Sequence, residues 1–343
     1  MLIGRHFPYM AAKKHILVTG DRPTGRLHLG HLVGSLYNRI KYQNEYECFF
    51  LVADLHMLTT HFDRIKEVEE SIYQMVLDWL SVGMDPEKSI FYVQSQVPYI
   101  TELSTILTML CSVQRSERIP TLKEKIKDMG LGENYSVGLL GYPILMAADI
   151  LMFKATKVPV GEDQLSHIEL TRELARRFNH LYGEYFEEPE PIISETSRLV
   201  GTDGDRKMSK SLNNCIYISD EPKAVQKSVM SMFTDPNRIR ADIPGKVEGN
   251  PVFIYHDAFN KDLEEIEDLK ERYLKGKVGD VEVKKKLTNA INKILEPFIE
   301  RRKEFESRPE DIKEILHEGT KRANQTAKEN MNEIIEKMGL YIP

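Results

Sequence analysis

The 343-residue chain is predicted to adopt an α/β fold, with helices covering both faces of a doubly wound parallel sheet. Three observations indicate this class. Short apolar runs alternate with helical periodicity over the first two-thirds of the chain. The run CFFLVAD at 48–54 is continuously apolar, as expected for a central parallel strand covered on both faces. After about residue 218, amphipathic helical patterns replace the strand patterns.

Four segments are expected to be strands because each is short, apolar and followed by turn or helix signals. They are HILVTG (15–20), CFFLVAD (48–54), SIFYVQ (89–94) and VPVGEDQ (158–164). A helix is expected after the first strand, from Leu29 to Gln43. Apolar residues from Val68 to Leu80 repeat at helical spacing after the second, so we expect Trp79, which lies among them, to be buried.

We expect two domains. Residues 1–217 form a Rossmann-like catalytic domain, interrupted by a mostly helical insertion at about 98–154, and residues 218–343 form an all-helical domain. The insertion contains two strongly apolar segments, LSTILTMLCSV and VGLLGYPILMAADILMF. One such segment can line a pocket and the other can face a partner subunit, and the sequence does not assign them.

Composition excludes several classes of protein. No apolar run reaches the roughly 18 residues that a membrane-spanning helix needs, and the first twelve residues lack the apolar block of a secretory signal. The net charge of −6 argues against a wholly basic nucleic-acid-binding surface. The three cysteines are far apart and match no zinc or iron–sulfur spacing, so we expect no metal centre and a cytoplasmic location.

The stretch ILVTGDRPTGRLHLGH carries the first chemical signal. A strand, a turn rich in glycine and proline, and a helix together place backbone N–H groups where they meet an anion. Gly30 has no Cβ and lets a ring or phosphate approach the backbone, while His28 and His31 can donate hydrogen bonds to phosphate oxygens. Two alternatives are a pair of capping or packing histidines and a metal site, for which no nearby carboxylate or cysteine supplies further ligands.

The segment GTDGDRKMSKSLNN at 201–214 carries the second signal. Its glycine, aspartate and asparagine residues predict a mobile loop around KMSKS. Lys207 and Lys210 are spaced to point the same way from one turn, and two ammonium groups on such a loop suit a charge that appears during reaction, such as a departing pyrophosphate. A solvated basic loop is the alternative, but it does not explain why HLGH and KMSKS occur together, in this order.

The two motifs together resemble those of the class I aminoacyl-tRNA synthetases. The resemblance implies attack of an amino-acid carboxylate on the α-phosphorus of ATP, then transfer of the amino acid to the 3′-terminal ribose of tRNA. It makes His28, His31, Lys207 and Lys210 the catalytic residues. The ATP-binding residues that it implies are Arg22, Pro23, Thr24, Gly30, His31, Gly161, Glu162, Asp163, Leu199, Lys207, Met208, Ser209, Lys210 and Ser211, with Lys123 and Lys125 as further phosphate ligands.

The segment YPILMAADILMF at 142–153 bears on the amino acid. Asp149 is the one charged residue in it, and a buried carboxylate is costly without a donor; a helix cap or an arginine partner would be the ordinary explanation. The segment is similar to the PxLMAADIL of the bacterial tryptophan-specific members of the family, in which this aspartate accepts the indole N–H. That likeness implies a tryptophan site composed of His56, Tyr142, Met146, Asp149 and Gln164.

We therefore expect a tryptophan–tRNA ligase that uses ATP with Mg²⁺, charges tRNA(Trp) with L-tryptophan and forms a homodimer through the insertion. The C-terminal helices would bind the anticodon, which follows from their position in the family. The chain departs from many bacterial members in having the full HLGH form and Arg22 in place of glutamine. A tyrosine–tRNA ligase and a non-charging, tryptophan-binding paralogue with a regulatory role are the alternatives.

Overall fold

The computed structural model describes residues 15–193, 199–204, 208–235, 238 and 240–340. Its centre is a five-stranded, all-parallel sheet in the order β3-β2-β1-β4-β5. The strands are β1 (Ile16–Asp21), β2 (Glu47–Val52), β3 (Ser89–Val93), β4 (Lys157–Val160) and β5 (Glu190–Ile193). The predicted doubly wound α/β fold is confirmed, with β1 at the middle of the sheet.

Most of the remaining described residues are helical. Up to the fifth strand the helices are α1 (Leu29–His31), α2 (Tyr37–Tyr42), α3 (Asp54–Leu58), α4 (Val68–Val82), α5 (Pro98–Met109), α6 (Val113–Glu117), α7 (Pro120–Asp128), α8 (Val137–Met152) and α9 (Leu165–Tyr182). After the sheet come α10 (Pro222–Met230), α11 (Pro251–Phe259), α12 (Leu263–Leu274), α13 (Asp280–Glu306) and α14 (Pro309–Met338). A π-helical turn, Leu32–Leu36, joins α1 to α2, so the helix expected at 29–43 is continuous.

Alternate residues of β2 pack into two separate cores, because successive side chains of a strand point to opposite faces. Phe50 and Val52 belong to the core that also contains Trp79 of α4, which is fully buried as expected. Phe49 and Leu51 belong to the second core, which the apolar faces of α5, α8 and α9 complete. Burial on both faces explains why this strand is continuously apolar in sequence.

The last helix, α14, covers one edge of the sheet. β3 is an edge strand, and α14 lies against it so closely that a Cβ on Gly319 would overlap the backbone of Phe91. Thr320 Oγ1 also accepts a hydrogen bond of 3.1 Å from the backbone N–H of Val93. The glycine therefore permits a helix to cover backbone groups that would otherwise be open to pairing with another strand.

Two expectations about the sheet need correction. The segment at 158–164 enters a helix as expected, but its strand ends at Val160, and Glu162–Gln164 form a 3₁₀ turn ahead of α9. The fifth strand, Glu190–Ile193, was not predicted at all. No helix in the described part of the chain is both long and apolar enough to span a bilayer.

Candidate active site

Segments that follow four parallel strands meet at the carboxyl edge of the sheet. Arg22 follows β1, Asp54 follows β2, Gln94 follows β3, and the Gly161 turn follows β4. Doubly wound sheets bind ligands in the crevice at this edge, where the connections diverge on either side of a central strand. The candidate residues from the sequence lie mainly around this crevice.

His28 and His31 cap the first helix reciprocally. The Nδ1 of His28 accepts from the backbone N–H of Gly30 at 3.1 Å, and the Nδ1 of His31 accepts from the N–H of His28 at 3.2 Å. Since a backbone N–H can only donate, each ring must be neutral with its proton on Nε2. The two ring centroids lie 3.8 Å apart. The capping alternative is thus correct as local structure, and it also fixes both Nε2 atoms as donors.

The second motif packs directly on the first. Met208 is buried, and its sulfur lies 3.3 Å from the backbone nitrogen of Gly30. A Cβ at Gly30 would come within 2.9 Å of the His28 ring, so glycine leaves room for both neighbours. The backbone of 27–29 also pairs with that of 216–218, through Leu29 N to Ile216 O at 2.9 Å and Ile218 N to Leu27 O at 2.9 Å.

Lys210 reaches the turn that precedes the histidines. Its ammonium donates to Thr24 O at 2.9 Å, Thr24 Oγ1 at 3.2 Å and Gly25 O at 3.1 Å. Burial lowers the pKa of this lysine, partly offset by the field of Asp78. The structure therefore brings Lys210 to the segment 22–31, which contains the HLGH motif and is called the HLGH turn below. Its predicted companion, Lys207, lies outside the described residues.

The side chain of Asn214 connects the described residues on either side of this loop. The N–H of Ser209 donates to the side chain of Asn214 at 2.8 Å, and Asn214 donates to Asp203 at 2.9 Å. Leu199 is buried, and its carbonyl accepts from Met208 N at 3.4 Å. Two more predicted ATP ligands lie in the two segments that meet here: Pro23 is buried in the turn after β1, and Ser211 is part of the 3₁₀ turn Lys210–Leu212.

Two cations lie close together at the crevice. Lys125 Nζ is 3.9 Å from the centroid of the Tyr142 ring, and Arg22 donates to Thr60 Oγ1 at 3.4 Å. Burial and then the Arg22 charge lower the pKa of Lys125 to about 8, while burial lowers the pKa of Arg22. Lys123 lies about 200° further round α7 and is exposed, away from this cluster. Repelling cations at a crevice suit an anionic ligand.

Tyr142, Met146 and Asp149 share one face of α8, at positions i, i+4 and i+7. Asp149 is 2% exposed; its Oδ2 lies 2.8 Å from His56 Nε2, and Gln94 donates to its two oxygens at 2.8 and 3.0 Å. Burial raises the pKa of Asp149, and the bond from His56 opposes that rise. The partners are an imidazole and an amide, not the arginine considered from sequence.

Three site residues were not predicted. Gln94 follows β3, so the carboxyl-edge rule that selected His56 could have found it. Thr121 and His167 form a triangle with the Tyr142 hydroxyl, with distances of 2.8, 3.0 and 3.1 Å. Burial, then Lys125, lowers the pKa of His167 to about 4, so its ring is neutral at pH 7. No local motif marks this triangle.

The turn after β4 supplies the remaining predicted ligands. Gly161, Glu162, Asp163 and Gln164 are all exposed at the start of α9. The charge of Asp163 acts on both Tyr142 and His167, which locates this turn beside the cluster. Among the described residues, no group of three or more histidine, cysteine or acidic side chains is arranged to hold a metal ion.

Comparison with known proteins gives consistent matches. The family model for tRNA synthetases class I (W and Y) matches residues 10–296. The chain is 52% identical over 332 residues to the tryptophan–tRNA ligase of Borreliella burgdorferi, covering 96% of this chain and 94% of that protein. It is 52% identical over 326 residues to the tryptophan–tRNA ligase of Treponema pallidum, covering 94% and 96%.

A solved structure extends the likeness to three dimensions. The tryptophanyl-tRNA synthetase of Campylobacter jejuni, complexed with ADP and tryptophan, superposes with a TM-score of 0.83 at 35% identity. The alignment covers 95% of this chain and 100% of that one. The likeness therefore includes both the sheet and the C-terminal helices.

Proposed function

The chain belongs to the tryptophan and tyrosine group of class I tRNA synthetases, and from that premise we propose how its cleft carries out tryptophan–tRNA ligation. The activity is that of a tryptophan–tRNA ligase, an aminoacyl-tRNA ligase that consumes ATP. A carboxylate oxygen of L-tryptophan attacks the α-phosphorus of ATP, and the bond from that phosphorus to pyrophosphate breaks. The 3′-terminal ribose of tRNA(Trp) then accepts the amino acid, and AMP leaves.

The nucleotide binds at the start of α1. Charge develops on the phosphate oxygens as pyrophosphate leaves, and preorganised donors stabilise it most where they need not rearrange. His28 and His31 supply Nε2 protons whose direction the backbone fixes, as derived from their caps. Lys210 supplies a full positive charge from the loop, exchanging its three contacts with Thr24 and Gly25 for phosphate oxygens.

Arg22 and Lys125 bind the phosphates or the tryptophan carboxylate from the opposite side. Burial, and then the charge of Arg22, lower the pKa of Lys125, and an entering anion would relieve the repulsion between the two cations. Magnesium would be held mainly by the triphosphate, because Mg²⁺ commonly binds through substrate phosphates and the described residues offer no carboxylate cluster. Bound there, it would neutralise charge on the leaving pyrophosphate.

Tryptophan occupies the pocket beside α8. The Asp149 carboxylate accepts the indole N–H, and the two donors that already hold it, His56 and Gln94, keep its orientation. Tyr142 and Met146 on the same helix face line the pocket, and Gln164 meets the amino group. An aromatic substrate without an N–H at this position would leave the buried carboxylate without that hydrogen bond, so the site disfavours such a substrate.

One observation carries this proposal: Lys210 and Met208 lie on the HLGH turn, while Asp149 lies at the same edge of the sheet. ATP–pyrophosphate exchange measured separately with each amino acid tests it. We expect exchange with tryptophan and charging of tRNA(Trp). Exchange with tyrosine alone would favour the tyrosine alternative, and exchange without charging of total tRNA would favour the regulatory paralogue.

The pH dependence of ATP use tests the role of Lys125. Its pKa of about 8 means that the free protein loses this positive charge as pH rises past 8. Because kcat/KM reports groups in the free enzyme, kcat/KM for ATP should fall with rising pH through that value. K125R stays charged and should lack this fall, whereas the matched control K123R should keep it. A wild-type profile flat from pH 7 to 9 would contradict the assignment.

We also propose a homodimer formed through the helical insertion. Three apolar side chains there are unusually exposed, with Met109 at 74%, Val113 at 59% and Val137 at 83%. The helices that carry them, α5, α6 and α8, pack together, and a continuous exposed apolar surface marks an association site. We expect V137D to shift the protein from dimer to monomer in light scattering at micromolar concentration, because a buried unpaired charge opposes association. V281D, at an exposed valine outside the insertion, is the control. A V137D protein that stays dimeric would contradict this interface.

We also propose a division of roles between the two domains and a cytoplasmic location. Residues 1–217 would perform catalysis and residues 218–343, whose described elements are helices α10 to α14, would recognise the anticodon. The three free cysteines suit the reducing cytoplasm, where tRNA is charged.

A further inference from the structure

The residue before the HLGH motif is tied to a buried carboxylate. The backbone N–H of Leu27 donates to Asp78 Oδ2 at 2.6 Å, and Asp78, on α4, is 0% exposed. The distance is short, as expected for a hydrogen bond to an ionised acceptor. Asp78 thus holds the backbone at the point where the turn enters the helix that presents His28 and His31.

The other oxygen of this carboxylate faces the C-terminal helices. Asp78 Oδ1 forms an ion pair with Arg302 of α13, which is 8% exposed. The same guanidinium donates to Gln74 of α4 and, through Nε, to Glu306 at 2.9 Å. All three guanidinium nitrogens are therefore engaged, and the position of Arg302 is fixed by α13 and α4 together.

Burial alone would favour a protonated, neutral Asp78. Burial raises the pKa of this carboxyl to about 6, and the Arg302 charge is the largest influence that opposes the rise. A neutral carboxyl is a weaker acceptor for Leu27, and breaking a buried ion pair leaves its survivor uncompensated. Helix α13, through Arg302, thus supports the charge that anchors the phosphate-binding turn.

We propose that Asp78 and Arg302 are positioning residues for adenylation, through which the docking of α13 sets the place of the HLGH turn. This inference rests on the proposed function. Neither side chain touches substrate; the pair acts through the Leu27 amide, one residue before His28. A displacement of about 1 Å at a catalytic group can lower a rate by about 10²-fold, so a lost anchor at this place should be visible in kinetics.

Two double variants separate positioning from simple domain attachment. D78N/R302M and D78L/R302M both replace the ion pair by uncharged side chains, a change that proteins often tolerate when the new side chains pack well. At the contact that matters here they differ because only the asparagine oxygen still accepts from Leu27, and the melting temperature reports the cost of the larger, apolar leucine. R301M is the matched control, since Arg301 joins the same two helices through Ser81 O at 2.6 Å without touching Asp78.

The readout is kcat/KM for ATP in pyrophosphate exchange, with the melting temperature as the measure of folding. We expect D78N/R302M within about threefold of wild type, D78L/R302M at least about tenfold lower, and R301M unchanged in kcat/KM despite a lower melting temperature. Equal activities of the two double variants, or an equal loss in R301M, would overturn the inference.

Failure of the proposed function would look different. If wild type exchanges with an amino acid other than tryptophan, the ratio between the double variants is measured with that amino acid and still decides the positioning role. If the D78L/R302M protein does not fold while D78N/R302M does, the single variant R302M is used instead. Hydrogen exchange at its Leu27 amide then decides between a positioning role and simple attachment of α13. Protection lost in R302M supports positioning, and protection equal to wild type overturns it.

Discussion

Lys210→Ala is expected to lower the single-turnover rate of adenylate formation by about 10²-fold or more. The reason is the charge that appears on pyrophosphate as it leaves, which a mobile ammonium can meet without blocking substrate entry. Lys210 already reaches the HLGH turn through contacts with Thr24 and Gly25, so the travel required is short. Transfer of tryptophan from preformed adenylate to tRNA should change little, because pyrophosphate has then departed.

Two further variants separate charge from local structure. K210Q keeps a donor for Thr24 O but has no charge, so it should lose nearly as much rate as the alanine variant. K223A removes an exposed lysine of α10 and should behave as wild type. A single-turnover rate for K210A within twofold of wild type would refute a role in stabilising the leaving group.

Asp149→Ala should lower kcat/KM for tryptophan by about 10²-fold while changing the KM for ATP little. The expected size follows mainly from losing a hydrogen bond to a buried charged acceptor, worth about 1.5–3 kcal/mol. The two donors that hold the carboxylate in wild type add to the loss, because the substitution leaves them without an acceptor. His56 and Gln94 both point at this carboxylate and would lose their acceptor. The pocket would then discriminate poorly between aromatic side chains.

A tryptophan analogue in which sulfur replaces the indole N–H makes the test specific. Wild type should prefer tryptophan to this near-isosteric analogue by about 10²-fold or more, and in D149A the preference should nearly vanish. Asp85, an aspartate in the loop before β3, supplies the control variant D85A, which should keep the wild-type preference. Equal losses for tryptophan and ATP in D149A would assign the residue to structure alone.

The sequence predicted those parts of the fold whose signals are local. β1, β2 and β3 are apolar runs with clear ends, and both faces of β2 are buried. β5 was missed because Glu190–Ile193 is a short edge strand that contains a proline and follows an acidic segment. Its pairing with β4 defines it, and pairing between strands is a long-range property.

The site divides in the same way. His28, His31, Lys210 and Asp149 lie in contiguous motifs, so their chemistry could be inferred before their geometry was known. The contact between Asp78 and Arg302 joins residues 224 positions apart, and no pattern in either segment indicates it. Spacing alone could not show which of Lys123 and Lys125 faces the crevice, because that depends on how α7 is oriented in the fold.

The proposed mechanism requires that ATP and tryptophan bind side by side in the crevice at the carboxyl edge of the sheet. A crystal structure with tryptophan and a non-hydrolysable ATP analogue is the most direct test of this arrangement. We expect the phosphates within hydrogen-bond distance of His28 Nε2, His31 Nε2 and the Lys210 ammonium, with the indole N–H on Asp149. Nucleotide density at a site remote from both the HLGH turn and the 208–214 loop would contradict the account.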